Sequence, residues 1–267
     1  MESGEGCAKS RERSGALGPR PSTTAQGVPS HVEGRERSGP ERGEGPARQI
    51  MDWFPVWLSL RVALLASAVT VVVGVPLAWL LARRRFPGRD VISAALLSPL
   101  VLPPTVLGYY LLMLIGARGV VGRTLAGWNI ELAFTWRAAV LAAAVGSFPL
   151  LVRTAQSGFE SVDRRLEQAA QTLGHSELSI FWTISVPLAW RAILAGTVLA
   201  FCRAFGDFGI TLMVAGNIPG RTQTLPLAIY DHVQANQLDQ ANVLSLLSIG
   251  IFLTLMLALG RAARLRF

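Results

Sequence analysis

The sequence predicts an all-α integral membrane protein with about five transmembrane helices, residues 51–267 forming one membrane domain. Three observations carry that expectation. Of the 267 residues 51% are hydrophobic and only 16% charged, a balance that leaves too little polar surface for an ordinary soluble domain. The apolar residues gather in five runs, each long enough at 1.5 Å per residue for a helix across a hydrocarbon core of about 30 Å. Arginine is concentrated in alternate loops between those runs, as membrane orientation requires. A spanning strand would instead be a short segment of alternating polarity, a pattern these runs do not have.

Residues 1–50 have another character. They are rich in Gly, Pro, Ser, Arg and Glu with few large apolar side chains, a mixture that cannot bury enough surface to offset chain entropy. The segment reads as a disordered tail or a mis-assigned N-terminal extension, since Met51 precedes an interfacial Asp52-Trp53-Phe54 start. It lacks the apolar stretch of a signal peptide. The runs then cover 57–81, 91–115, 134–152, 189–215 and 241–259. In the second, Pro103 and Pro104 fall mid-run, where each lacks an N–H and disturbs the carbonyl one turn earlier, so a kink is expected. In the fourth, Arg203 and Asp207 stand at i and i+4 and can pair on one helical face.

Arg83, Arg84, Arg85 and Arg89 follow the first run. Arg153, Arg164 and Arg165 follow the third, and Arg261, Arg264 and Arg266 close the chain. All three sets fall on one side. The opposite loops hold only Arg118, Arg123 and Arg221, so the N-terminus is expected outside and the C-terminus in the cytoplasm. The formal charge of +8 is thereby explained by orientation, with no nucleic-acid partner implied. Cys7 and Cys202 form no disulfide framework and have no metal-ligand spacing. His31, His175 and His232 are isolated in the tail or in loops, so no catalytic constellation, metal site or cofactor site is expected. A phosphate-binding loop needs a lysine after its glycine, and the only lysine, Lys9, follows Ala8. The chain should not hydrolyse ATP.

The polar segment between the third and fourth runs carries the most specific pattern. Leu166, Ala169, Ala170 and Leu173 stand at i, i+3, i+4 and i+7, one face of a short helix outside the membrane. Gly174 follows where a helix C-cap takes positive φ. Ser176 can cap a second short helix whose apolar side includes Ile180, Phe181 and Ile184, before Pro187 opens the next span. By periodicity alone this is equally an interfacial helix resting on lipid headgroups.

The spacing Gln168-Ala169-Ala170, three residues, Gly174, nine residues, Ile184, one residue, Val186-Pro187 resembles the EAA loop of ABC importer permeases. Two letters depart from that pattern: Gln168 stands for its glutamate, with Glu167 just before, and Val186 stands for its leucine. Phe86-Pro87-Gly88, Leu100 to Pro104, Gly146 to Leu150, Gly206 to Gly209 and Asn217 to Gly220 resemble the molybdate branch of these permeases, to which sulfate and tungstate permeases are close. The resemblance implies a type I ABC importer permease fold in the bacterial inner membrane. In that family the loop is a coupling helix that docks on the ABC ATPase subunit, here Glu167, Gln168, Ala169, Ala170, Leu173, Gly174, Ile184, Val186 and Pro187. It further implies two ATPase subunits, a periplasmic oxyanion-binding protein and a second permease copy. Within the spans, Pro103, Pro104, Arg203, Gly206, Asp207 and Gly209 are the candidates for the translocation pathway, since intramembrane charges usually face a bundle interior and glycines allow close helix contact or local opening. A stand-alone secondary transporter built on Arg203 and Asp207 is the competing class, and it leaves the EAA spacing unexplained.

Overall fold

In a computed structural model, residues 52–84, 87–128 and 131–264 are described. The tail, Met51, Arg85, Phe86 and Arg266 lie outside them. Five helical segments are long and apolar enough to cross a membrane: Phe54–Arg83, Pro104–Thr124, Trp136–Ser161, Glu177–Phe205 and Leu238–Ala258. The first is α1, whose 30 residues span about 45 Å at 1.5 Å each, so it outreaches the hydrocarbon core.

The second apolar run is not one kinked helix. It is two helices, α2 (Arg89–Val101) and α3 (Pro104–Ile115). The proline pair does more than bend the chain: Pro103 drives Leu102 into extended backbone (ψ 142°), and Pro104 then starts α3 at a position that needs no N–H. Inside α2, Pro99 deprives the Ala95 carbonyl of its helical donor, and the Ser98 hydroxyl donates to it at 2.7 Å instead. A short α4 (Val120–Ala126) follows.

Helix α5 (Trp136–Ser161) is the centre of the molecule. Ala138, Ala139, Ala142, Ala143 and Ala155 are almost fully buried, and such small side chains let α1 and α8 pack closely on it, where larger residues would hold the helices apart. The Arg61 guanidinium lies 4.2 Å from the Trp136 ring at the starts of α1 and α5, while Arg83 at the end of α1 donates to the Val162 carbonyl just past α5. The two helices therefore run parallel, as the first and third spans must.

Next come α6 (Arg164–Thr172) and α7 (Glu177–Ile180), then a π-helical turn Phe181–Ser185 that leads directly into α8 (Val186–Phe205). Pro187, expected to open the span, is the second residue of α8, but helical backbone already runs into it from Glu177. The wider turn before it bonds Val186 N–H to the Phe181 carbonyl, one residue further back than in an α-helix. The fourth run also breaks: α8 stops at Phe205, and α9 (Gly209–Ala215) restarts after Gly206, Asp207 and Phe208. Two elements complete the fold, α10 (Leu225–Gln234) and α11 (Leu238–Arg264). Ser59 of α1 accepts the Leu225 N–H at 2.7 Å, which pins the start of α10 beside the start of α1. His232, expected in a loop, is in α10, where Nδ1 lies 2.8 Å from Gln237 Oε1.

Candidate functional sites: an exposed helix pair and a broken-helix junction

The polar segment forms a helix with two unlike faces. Asp163 caps α6 by accepting the Arg165 N–H at 2.9 Å. Its C-terminus is a Schellman motif: His175 N–H bonds the Ala170 carbonyl, Gly174 N–H bonds the Gln171 carbonyl, and Gly174 takes φ +84°. Ser176 then caps α7 by accepting the Ser179 N–H at 3.3 Å. Leu166, Gln168, Ala169 and Leu173 are exposed, Leu173 at 80%. Ala170 and Glu167 face inward, so the four periodic apolar residues do not share one environment. Glu167, grouped above with the docking residues, pairs with Arg83 at 2.8 Å and accepts the Ser185 hydroxyl at 2.6 Å. Ile184 and Val186 are half-buried, Val186 against the core, and Pro187 is exposed. Outward stand two leucines, Leu166 and Leu173, with Gln168 and Ala169 between them, among exposed Arg164, Arg165, Gln171 and Thr172. A partner can cover the leucines while meeting the polar and basic groups around them.

The second constellation lies where the two broken helices meet. Arg203 Nη1 reaches Asp207 Oδ1 at 3.0 Å, although the helix that was expected to carry both ends before Asp207. The break allows more than the pair. Asp207 Oδ2 accepts both the N–H and the hydroxyl of Thr211, at 2.9 and 2.7 Å, so the carboxylate also satisfies a backbone donor left open at the start of α9. Thr211 was missed in the sequence; its position four residues after Asp207 was the available signal. The two charges differ in exposure: the Asp207 side chain is 2% exposed and that of Arg203 29%. A Cβ at Gly209 would lie 2.8 Å from Pro104 Cβ, and one at Gly108 2.8 Å from Met213 Cβ, so α3 and α9 touch through glycine on both sides. A Cβ at Gly146 would come 3.6 Å from Arg203 Nη2 and 3.8 Å from Asp207 Oδ1, which makes α5 the back wall. Gly146 is the eleventh residue of α5, roughly 15 Å along the axis of a membrane-long helix. Pro104, Gly209, Arg203 and Asp207 thus come together. Pro103 is exposed and caps α3, and Gly206 packs toward Phe252.

The model of the binding-protein-dependent transport system inner membrane component family matches residues 74–265. The molybdenum transport system permease protein ModB of Escherichia coli (strain K12) is 50% identical over 184 residues, 68% of this chain and 80% of that protein. The ModB protein of Haemophilus influenzae is 44% identical over 185 residues, 69% of this chain and 81% of its own. The sulfate transport system permease protein CysT of Salmonella typhimurium is 34% identical over 203 residues, covering 76% and 73%. Among solved structures, a chain of the inward-facing MetNI methionine ABC transporter superposes with a TM-score of 0.62 at 18% identity, over 81% of this chain and 97% of that one. That likeness concerns the fold. The family model covers the end of the first span and all that follows it up to residue 265, and with the relatives it shows that the chain belongs to the binding-protein-dependent transport system inner membrane components, the multi-pass, non-catalytic permease subunits of ABC importers.

Proposed function

We propose that this permease carries a tetrahedral oxyanion, molybdate, from periplasm to cytoplasm. Relatives from four bacterial species named for molybdenum transport are 38–50% identical, against 34–36% for relatives named for sulfate. Sulfate or tungstate is the alternative cargo. Two copies form the pathway around a two-fold axis, two ATPase subunits dock from the cytoplasm, and a periplasmic oxyanion-binding protein delivers the anion. The N-terminus lies outside and the C-terminus inside.

The observation that supports this most is the two-faced α6, whose outward apolar residues suit an ATPase groove while its inner face is held to the membrane domain. ATP-driven closure of the ATPase pair pulls the two α6–α7 units together and turns the pathway outward; hydrolysis resets it. The partly exposed Arg203 of the fourth span belongs beside water or a second copy, because a cation facing lipid is costly. There it offers the anion a weak station, which suits passage better than tight binding.

Gly174→Val tests the docking surface. A Cβ at Gly174 meets nothing within 4 Å, so the only penalty is the left-handed backbone, about 1–2 kcal/mol for a non-glycine residue. That is enough to swing α7 relative to α6. Co-purified ATPase should fall about ten-fold while membrane abundance stays at the wild-type level. Normal complex formation and uptake would remove α6–α7 from the coupling role.

A further inference from the structure

The inward face of α6 is tied by polar side chains to two membrane helices. Its backbone packs chiefly on α7 and the π turn, and between these helices and the end of α1 there is a cleft of about 170 Å³ lined by Trp79, Arg83, Arg164 and Glu167 among others. Polar side chains bridge α6 and α1 across this gap. Arg83, at the last position of α1, pairs with Glu167 at 2.8 Å with the two side chains 8% and 11% exposed. Glu167 Oε1 also accepts the Ser185 hydroxyl, which ties the same carboxylate to the entry of α8. In the opposite sense, Arg164 of α6 donates to the Ala82 carbonyl of α1 at 3.2 Å. A second pair, Arg84 with Glu177, is exposed on both sides and is correspondingly weak.

We propose that Glu167 is a positioning residue for transport: through Arg83 and Ser185 it latches the coupling helix to α1 and α8 together, so that a displacement of α6 moves both spans. This rests on the α6–α7 unit being the ATPase-docking element. α8 is already continuous with α7 through the π turn, so α8 follows α6–α7 covalently. α1 also packs on α8 and sets Trp79 edge-on against Phe181 of the π turn, and the latch adds a buried ion pair that ties its last residue directly to α6. With the latch released, the ATPase pair can still close and drag α6, but the end of α1 is held less firmly and lags, so less of the displacement reaches the pathway. Hydrolysis then runs with less transport per ATP.

The test uses the full complex in proteoliposomes with ATPase and binding protein, comparing Glu167→Gln and the double variant Arg83→Gln with Glu167→Gln. The double variant is needed because Glu167→Gln alone leaves Arg83 buried without a counter-charge and can fail to assemble. Assembly, binding-protein-stimulated ATPase activity and uptake are measured on each. The expected result is an assembled double variant whose ATPase activity is still stimulated while anions moved per ATP fall by at least about five-fold, the low end of a site-to-site coupling. A double variant with wild-type uptake per ATP would overturn the latch. So would a parallel loss of assembly, hydrolysis and uptake in both variants, since that is the signature of a purely structural pair. A wild-type complex that moves anion without ATP would instead overturn the importer reading, independently of either variant.

Discussion

Asp207→Asn should abolish most uptake. The Asp207 carboxylate receives three donors, one from Arg203 and two from Thr211, at a side chain 2% exposed. An amide has one acceptor end and one donor end, so either Arg203 or Thr211 meets N–H against N–H. The substitution also removes the only counter-charge within reach of Arg203 that the described residues show. Breaking a buried pair from one side costs on the order of 3 kcal/mol, at the lower end here because Arg203 is partly exposed. Assembled permease should fall, and uptake per assembled complex should fall with it. Arg203→Ala combined with Asp207→Ala removes the charge imbalance and should recover assembly, though Thr211 still loses its acceptor. The double variant separates two roles. If Arg203 guides the anion, the recovered complexes hydrolyse ATP under binding-protein stimulation yet transport poorly. Recovered transport would reduce the pair to a packing device.

Gly209→Val should be almost as damaging, for a steric reason. The added Cβ would stand 2.8 Å from Pro104 Cβ, a ring atom on rigid backbone that cannot swing aside. α9 must move away from α3, and overpacking of this kind costs about 1–3 kcal/mol. The contact joins the two helix breaks, so the displacement opens the junction beside Arg203 and Asp207. Uptake should fall by about ten-fold, while ATPase co-purification remains normal because α6 and α7 are at the other end of α8. Loss of both in parallel would show that the junction supports the whole fold instead of the pathway.

The distribution of what the sequence made legible follows from physics. Long apolar runs report the solvent, so the five spans were readable, including the parallel course of the first and third. Caps are local, so Gly174 at positive φ and the Ser176 cap were readable from a few neighbouring residues. The breaks were only half readable. Hydropathy is blind to dihedral angles, and Pro103-Pro104 ended a helix that periodicity had continued; Gly206 to Phe208 did the same within the fourth run. The short amphipathic α10 left no signal comparable with a span. The inward turn of Glu167 was the least readable feature. Its partner Arg83 belongs to another helix more than eighty residues earlier, and no local pattern in the sequence connects the two.

ATP dependence of oxyanion uptake tests the account most directly. Proteoliposomes are prepared with this chain and its ATPase, the binding protein is supplied outside, and labelled molybdate is followed inward. The account predicts uptake only when ATP, a hydrolysis-competent ATPase and the binding protein are all present, with loss of any one reducing it to the leak of empty vesicles. Molybdate entry driven by an ion gradient through this chain alone, without ATP or partners, would contradict it.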